Sequence, residues 1–141
     1  MSVEETQQTM QRYLDALLAR GDFASCFADD VEWTTMETGD HVRGRDAVRD
    51  YIVAMHTQLF DAVPELRSVA TSDGFAALEA VFVGTQIAEF GGVPATGASI
   101  RVPYAMAYDL VDDKITALRA YLPLQAMVEQ LRAAAPAAAP A

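Results

Sequence analysis

Within this chain of 141 residues the hydrophobic spacing changes once, and that change limits the fold more than any single motif. Up to about residue 60 apolar side chains recur at helical intervals; beyond Pro64 they alternate at period two. Val3, Met10, Tyr13, Leu14, Leu17 and Leu18 mark a first helix over 3–20, stopped by Gly21, and a short second helix is expected over 23–28. DDVEWTTMETGDHVRG reads as an opening strand, a turn near Gly39 and a short return strand. Val48, Ile52, Met55 and Leu59 then share one face of a helix over 45–60, which Pro64 closes. Strands are expected over 65–71, 75–86, 100–110 and 115–122, with turns at SDG, at a glycine-rich loop and at DD, before a last helix over 124–133. Helices first and meandering strands second is an α+β layout, an antiparallel sheet curling around the N-terminal helices.

Twenty acidic against ten basic residues give a formal net charge of −10. That field opposes a phosphate backbone and an anionic lipid surface alike, so neither nucleic acid nor membrane is an expected partner. The polar, acidic opening MSVEETQQTMQ lacks the build of a secretory leader, and no apolar run approaches the roughly 20 residues of a bilayer span. The expected compartment is the cytoplasm. The lone Cys26, in the apolar string FASCFA, rules out a disulfide framework and reads as a buried thiol. No zinc-ligand spacing occurs, and neither a metal nor an organic cofactor is implied. One domain is expected over 1–132, followed by an Ala/Pro-rich tail over 133–141 with nothing to bury, expected to be disordered.

The loop in FVGTQIAEFGGVPATGASIRVP invites a phosphate-binding reading, but its glycines, Gly91, Gly92 and Gly97, lack dinucleotide spacing and lead into a strand pattern instead of a helix. Alternation then assigns faces. Ile100, Val102, Tyr104, Met106, Tyr108 and Leu110 share the covered face of one strand; Leu78, Ala80, Phe82, Gly84 and Gln86 share that of its neighbour. Val81, Val83, Ala105 and Ala107 fall on the other face, which is too apolar for water and suggests a homodimer formed through the sheet.

FADDVEW, RGRDAVRDYI, GTQIAEFGGVPATG and DDKITALRAYL together resemble the nuclear transport factor 2-like superfamily and, within it, the SnoaL-like polyketide cyclases. The resemblance spans about residues 3–131. Its most specific part is the hairpin of Gly84, Thr85, Glu89, Phe90, Gly92, Pro94, Thr96 and Gly97. It implies a cone of curved sheet around an internal pocket and makes the glycine loop a pocket-edge hairpin.

Where those cyclases carry a pocket histidine this chain has Gln86, an amide that orients or polarises but carries no proton. Comparison with the superfamily's ketosteroid isomerases places their oxyanion tyrosine at Tyr13, their general base at about Thr35 and their second donor at Met106, so only the tyrosine is retained. Tyr13, Gln86 and Arg119 are the expected catalytic side chains. Trp33, Met55, Phe82, Tyr104, Met106, Tyr108 and Tyr121 are the expected substrate-binding wall, each of these aromatics also being an ordinary core residue. Arg119 could equally be a surface charge, and His56, at the edge of its helix, reads as a partly exposed, non-catalytic residue. The expectation is a cyclase for an apolar, polyketide- or terpenoid-like molecule that folds its substrate for ring closure, a [4+2] addition included. An isomerase or dehydratase and a non-catalytic binding module stand as alternatives.

Overall fold

The computed structural model describes residues 1–134. Helix α1, Val3–Leu18, begins where the Glu5 N–H donates to Ser2 Oγ (3.1 Å) and turns Thr6, Thr9, Met10, Tyr13 and Leu14 inward. It stops two residues before the expected end because Arg20 itself takes the left-handed conformation (φ 54°), while the Gly21 N–H reaches back to the Ala16 carbonyl at 2.8 Å. A 3-10 turn, Phe23–Cys26, leads into strand β1, Phe27–Thr35, which hairpins into the short β2, His41–Arg43.

Helix α2 runs only Arg45–Val53 and gives way to a π-helical turn, Ala54–Gln58. The expected helix over 45–60 is altered here for a local reason. His56 Nδ1 donates to the Ile52 carbonyl (2.7 Å) and Thr57 Oγ1 to the Val53 carbonyl (2.8 Å), so two side chains take up carbonyls four residues back. The Leu59 N–H then bonds the Ala54 carbonyl, five residues back, at 2.8 Å.

Strands β3 (Phe60–Ser72), β4 (Phe75–Gln86), β5 (Ser99–Val111) and β6 (Lys114–Tyr121) follow. The curved, unclosed sheet of six strands has the order β2-β1-β6-β5-β4-β3. Every pair is antiparallel except β1 with β6, which run parallel. Pro64 does not close the helical segment; it lies inside β3, opposite Phe82, and is tolerated because β3 is a sheet edge.

Helix α3, Leu124–Ala134, buries Met127 and Leu131. Its Gln130 Nε2 donates to the Arg101 carbonyl (3.1 Å) and its Oε1 accepts from the Arg101 N–H (3.3 Å), so one side chain completes the β5 ladder beyond the end of β6. The helix ends one residue past the expected Ala133, taking in Ala134 from the expected tail, and the remainder of that tail lies outside the described residues. The core lies between the inner face of the sheet and the helices, and it includes Tyr13, Phe27, Phe60, Ile115 and Leu118. No described helix is long and apolar enough to cross a membrane.

Candidate functional site

Helices α1 and α2 leave a space where they meet β4, β5 and β6. Tyr13 and Leu17 come from α1, Ile52, Met55 and His56 from α2 and its π turn, Trp33 from β1, and Leu78, Phe82, Tyr104, Met106, Tyr108, Ala120 and Leu122 from the far wall. The cavity measures about 40 Å³, room for a few water molecules. A second cavity of about 120 Å³ adjoins it toward Arg20 and the edge strand β3. Leu17, Ile52 and His56 border both spaces.

The walls are apolar and held by their own packing. Trp33 Nε1 donates to Thr35 Oγ1 (2.9 Å), and its ring lies 5.1 Å from that of Tyr51. Phe82 meets Phe60 edge-on at 5.2 Å and stands 5.9 Å from the His56 imidazole. Tyr13 and Tyr108 approach edge-on at 5.8 Å.

Polarity enters through the tyrosine hydroxyls and one imidazole. Burial pushes the Tyr104 phenol up to about 12. It pushes Tyr13 and Tyr108 higher still, helped in each case by neighbouring tyrosines. All three are therefore neutral donors at any physiological pH. None has a hydrogen-bond partner among the described residues. Gln86 Oε1 is the one fully buried side-chain polar atom without a partner there, so the three hydroxyls border open space. The same holds for His56 Nε2, since Nδ1–H is spent on Ile52. Burial, with Arg20 nearby, lowers the His56 pKa, against the pull of the Ile52 carbonyl, and the ring stays neutral.

Of the residues expected from sequence, Tyr13, Trp33, Met55, Phe82, Tyr104, Met106 and Tyr108 meet at this cavity. Three do not. Gln86 lies on the inner face as alternation requires, but its Nε2 donates to the carbonyls of Val93 (2.8 Å) and Ala88 (3.1 Å), so it staples the glycine loop and lines neither space. Within that loop Gly91 (φ 56°) packs on Val128 so closely that a Cβ would collide with it.

Arg119 and Tyr121 point to the outer face. Alternation counted from the buried Ile115 puts both inside, but a bulge after Ile115 shifts the register and turns Leu118, Ala120 and Leu122 inward instead. Arg119 forms a two-pronged pair with Asp109 (2.6 and 3.0 Å), whose hydrogen bond raises its pKa further. Tyr121 is half exposed. His56, set aside in the sequence, is at the site. Its signal would have been a helix that changes type at residue 54, which periodicity does not register.

Residues 10–118 match the profile of the SnoaL-like domain family. Among solved structures, a candidate SnoaL-like polyketide cyclase from Jannaschia sp. superposes with a TM-score of 0.81 at 18% identity, covering 95% of this chain and 94% of that one. AclR, a candidate hydroxylase from Streptomyces galilaeus, gives 0.77 at 16% identity over 94% and 98% of the two chains. A candidate ketosteroid isomerase from Kribbella flavida gives 0.68 at 19% identity over 86% and 79%. No curated protein matches the sequence. At these identities the superpositions establish the shared cone fold, and the chemistry rests on the side chains.

Proposed function

The chain belongs to the SnoaL-like domain family, and from that premise we propose that it is a small-molecule enzyme of the cyclase or isomerase type, acting on an apolar carbonyl compound held in the cavity beneath α1 and α2. The observation that carries this reading is the set of neutral phenols, Tyr13, Tyr104 and Tyr108, unpartnered on the wall of an apolar space. Donors on an apolar wall, unpaired with any described side chain or backbone group, suit an acceptor oxygen that arrives with the substrate, and they act most strongly on one that gains charge during reaction. Ring closure in a folded conformer, the [4+2] case included, uses the same elements: packing selects the conformer and a phenol polarises the carbonyl.

The size of the cavity limits the substrate. A ring-sized ligand enters only if the wall of Leu17, Ile52 and His56 yields and the two spaces join. The movable part is then the π turn, not the sheet. A second copy is proposed to cover the outer sheet face, where Val63 stands exposed beside its cross-strand partner Val83; light scattering that returns a monomer at micromolar concentration would sink this.

Binding is tested with cyclohex-3-enone and β-naphthol, reading the fluorescence of Trp33. The expected result is saturable quenching that Ala120→Phe, which fills the cavity, abolishes without unfolding the chain. Quenching unchanged in that variant would place the ligand elsewhere and overturn the reading.

A further inference from the structure

We propose that His56 is the proton-transfer residue of this site, taking a hydrogen from the carbon beside the substrate carbonyl through Nε2 while the tyrosine hydroxyls opposite receive the oxygen. The proposal rests on the carbonyl-binding reading above and adds to it a base. Four observations carry it.

First, the ring is tied to its own helix. Nδ1–H donates to the Ile52 carbonyl at 2.7 Å, which sets the tautomer and leaves the Nε2 lone pair free. Second, His56 borders both cavities, so a ligand spanning them must pass beside it. Third, the backbone is irregular at this residue. The π turn Ala54–Gln58 interrupts α2, and such turns recur at functional sites because they re-aim side chains. Fourth, the opposite wall offers donors and no carboxylate, so an anion formed on the substrate would be met by Tyr104, Tyr108 and Tyr13.

The charged groups around the imidazole are few. On its own helical segment Ile52, Val53, Met55 and Thr57 surround it. From the end of α1 comes Arg20, whose Nη2 lies 3.4 Å from the His56 carbonyl oxygen and 2.7 Å from Asp61 Oδ1 on β3. β4 contributes Leu78 and Phe82, and β5 the tyrosines and Met106. With Arg20 paired to Asp61, the ring has no carboxylate of its own to hold a proton, and it passes the proton on.

The step balances without a co-reactant. The C–H bond α to the carbonyl breaks and its proton goes to Nε2. The electron pair forms a C=C bond while the carbonyl π pair moves onto oxygen, where the phenols donate to it. Return of the proton from Nε2 to the γ carbon of an unsaturated ketone gives the conjugated isomer. Attack of the same enolate on a second carbonyl within a folded substrate closes a ring, and the alkoxide formed takes up the proton.

The test uses the full chain with cyclohex-3-enone in deuterated buffer, following α-deuterium uptake by NMR and the conjugated enone by absorbance. The parent should catalyse both. His56→Gln should lose about 10²- to 10⁴-fold of each and keep the Trp33 quenching by β-naphthol. As a check that needs no variant, the Nε2 resonance of the parent should move when β-naphthol, a planar enol mimic, saturates the cavity. His56→Gln within tenfold of the parent, or an Nε2 signal unmoved at saturation, overturns the assignment. A parent that binds the ketone in the cavity but exchanges no hydrogen overturns His56 as base and leaves the binding reading intact. Absence of any binding removes both.

Discussion

Gln86 Nε2 and the Val93 carbonyl oxygen stand 2.8 Å apart inside the protein, and with the bond to Ala88 they tie the strand-to-loop junction of β4 to the tip of the glycine loop. The amide gives the Ala88 carbonyl a donor and adds a second one to the Val93 carbonyl, which the Phe90 N–H of the loop's own turn already reaches at 3.1 Å. Gln86→Met keeps the volume, takes the side-chain donor from the Ala88 carbonyl and leaves the Val93 carbonyl with the Phe90 N–H alone. The expected result is a loss of about 1–3 kcal/mol in urea melts, with faster amide exchange in residues 87–98 and little change in turnover. A variant as stable as the parent would show that water serves the two carbonyls equally well.

The tyrosine wall should respond on a different scale. Tyr104→Phe removes a hydroxyl without opening space, so stability should change little, whereas an oxygen that gains charge in the reaction loses a preorganised donor. Loss of one such donor typically costs about 10²- to 10³-fold in rate. The measurement is kcat on cyclohex-3-enone. A fall of less than tenfold would match one neutral hydrogen bond and favour conformer-holding without charge development.

Arg119→Gln should leave kcat and KM unchanged, since the guanidinium lies across the sheet from the cavity. Its pair with Asp109 is partly exposed, and the stability cost should be about 1 kcal/mol or less. A hundredfold drop in kcat would mean that the outer face takes part in catalysis.

What the sequence made legible, and what it did not, follows from how far each signal travels along the chain. Alternation named the inner faces of β4 and β5 without error, because those strands pair over eleven positions with no break, from Phe75 opposite Asp109 to Thr85 opposite Ser99. The same rule failed at Arg119 and Tyr121, since a bulge is a pairing between strands and leaves no mark in one strand's own pattern. Gln86 falls on the expected face yet staples a loop there, because parity reports direction alone and only the fold brings the Val93 and Ala88 carbonyls to its amide. His56 escapes notice because its position on a regular helix lies at the edge of the buried stripe, and the π turn, produced by side chains bonding the Ile52 and Val53 carbonyls, rotates it to the cavity wall.

Stability should bend with pH at both ends. His56 has a folded-state pKa below its ordinary 6.5, so the unfolded chain binds the proton first. Its contribution is intact above pH 6.5 and is lost as pH falls from there through the lowered folded value. Tyr104 behaves in the opposite sense. Its folded pKa, raised from 10 to about 12, keeps its contribution intact below pH 10 and loses it as pH rises from 10 toward 12. Melts of His56→Gln should show a shallower acid limb than the parent, and melts of Tyr104→Phe a shallower alkaline limb. Parallel curves for parent and variant on either side would remove the corresponding group as the cause.

Trp33 gives the sharpest separation between a wall that shapes the substrate and one that only fills the core. Its indole N–H donates to Thr35 Oγ1 at 2.9 Å, and its ring packs on Tyr51, so the side chain cannot swing away when a ligand enters. Trp33→Phe leaves most of the apolar wall and removes that bond; Trp33→Ala removes the wall. If the cavity works by restricting the bound conformer, Trp33→Ala should lower kcat on a flexible, ring-forming ketone far more than on the rigid cyclohex-3-enone, because only the flexible substrate regains unproductive shapes. A core residue without that role would lower both alike, in step with the stability loss of about 3–5 kcal/mol expected for such a truncation. The ratio of the two kcat losses, measured at a temperature where each variant is still folded by circular dichroism, decides between them. A ratio near one means that Trp33 packs the protein and does not shape its substrate.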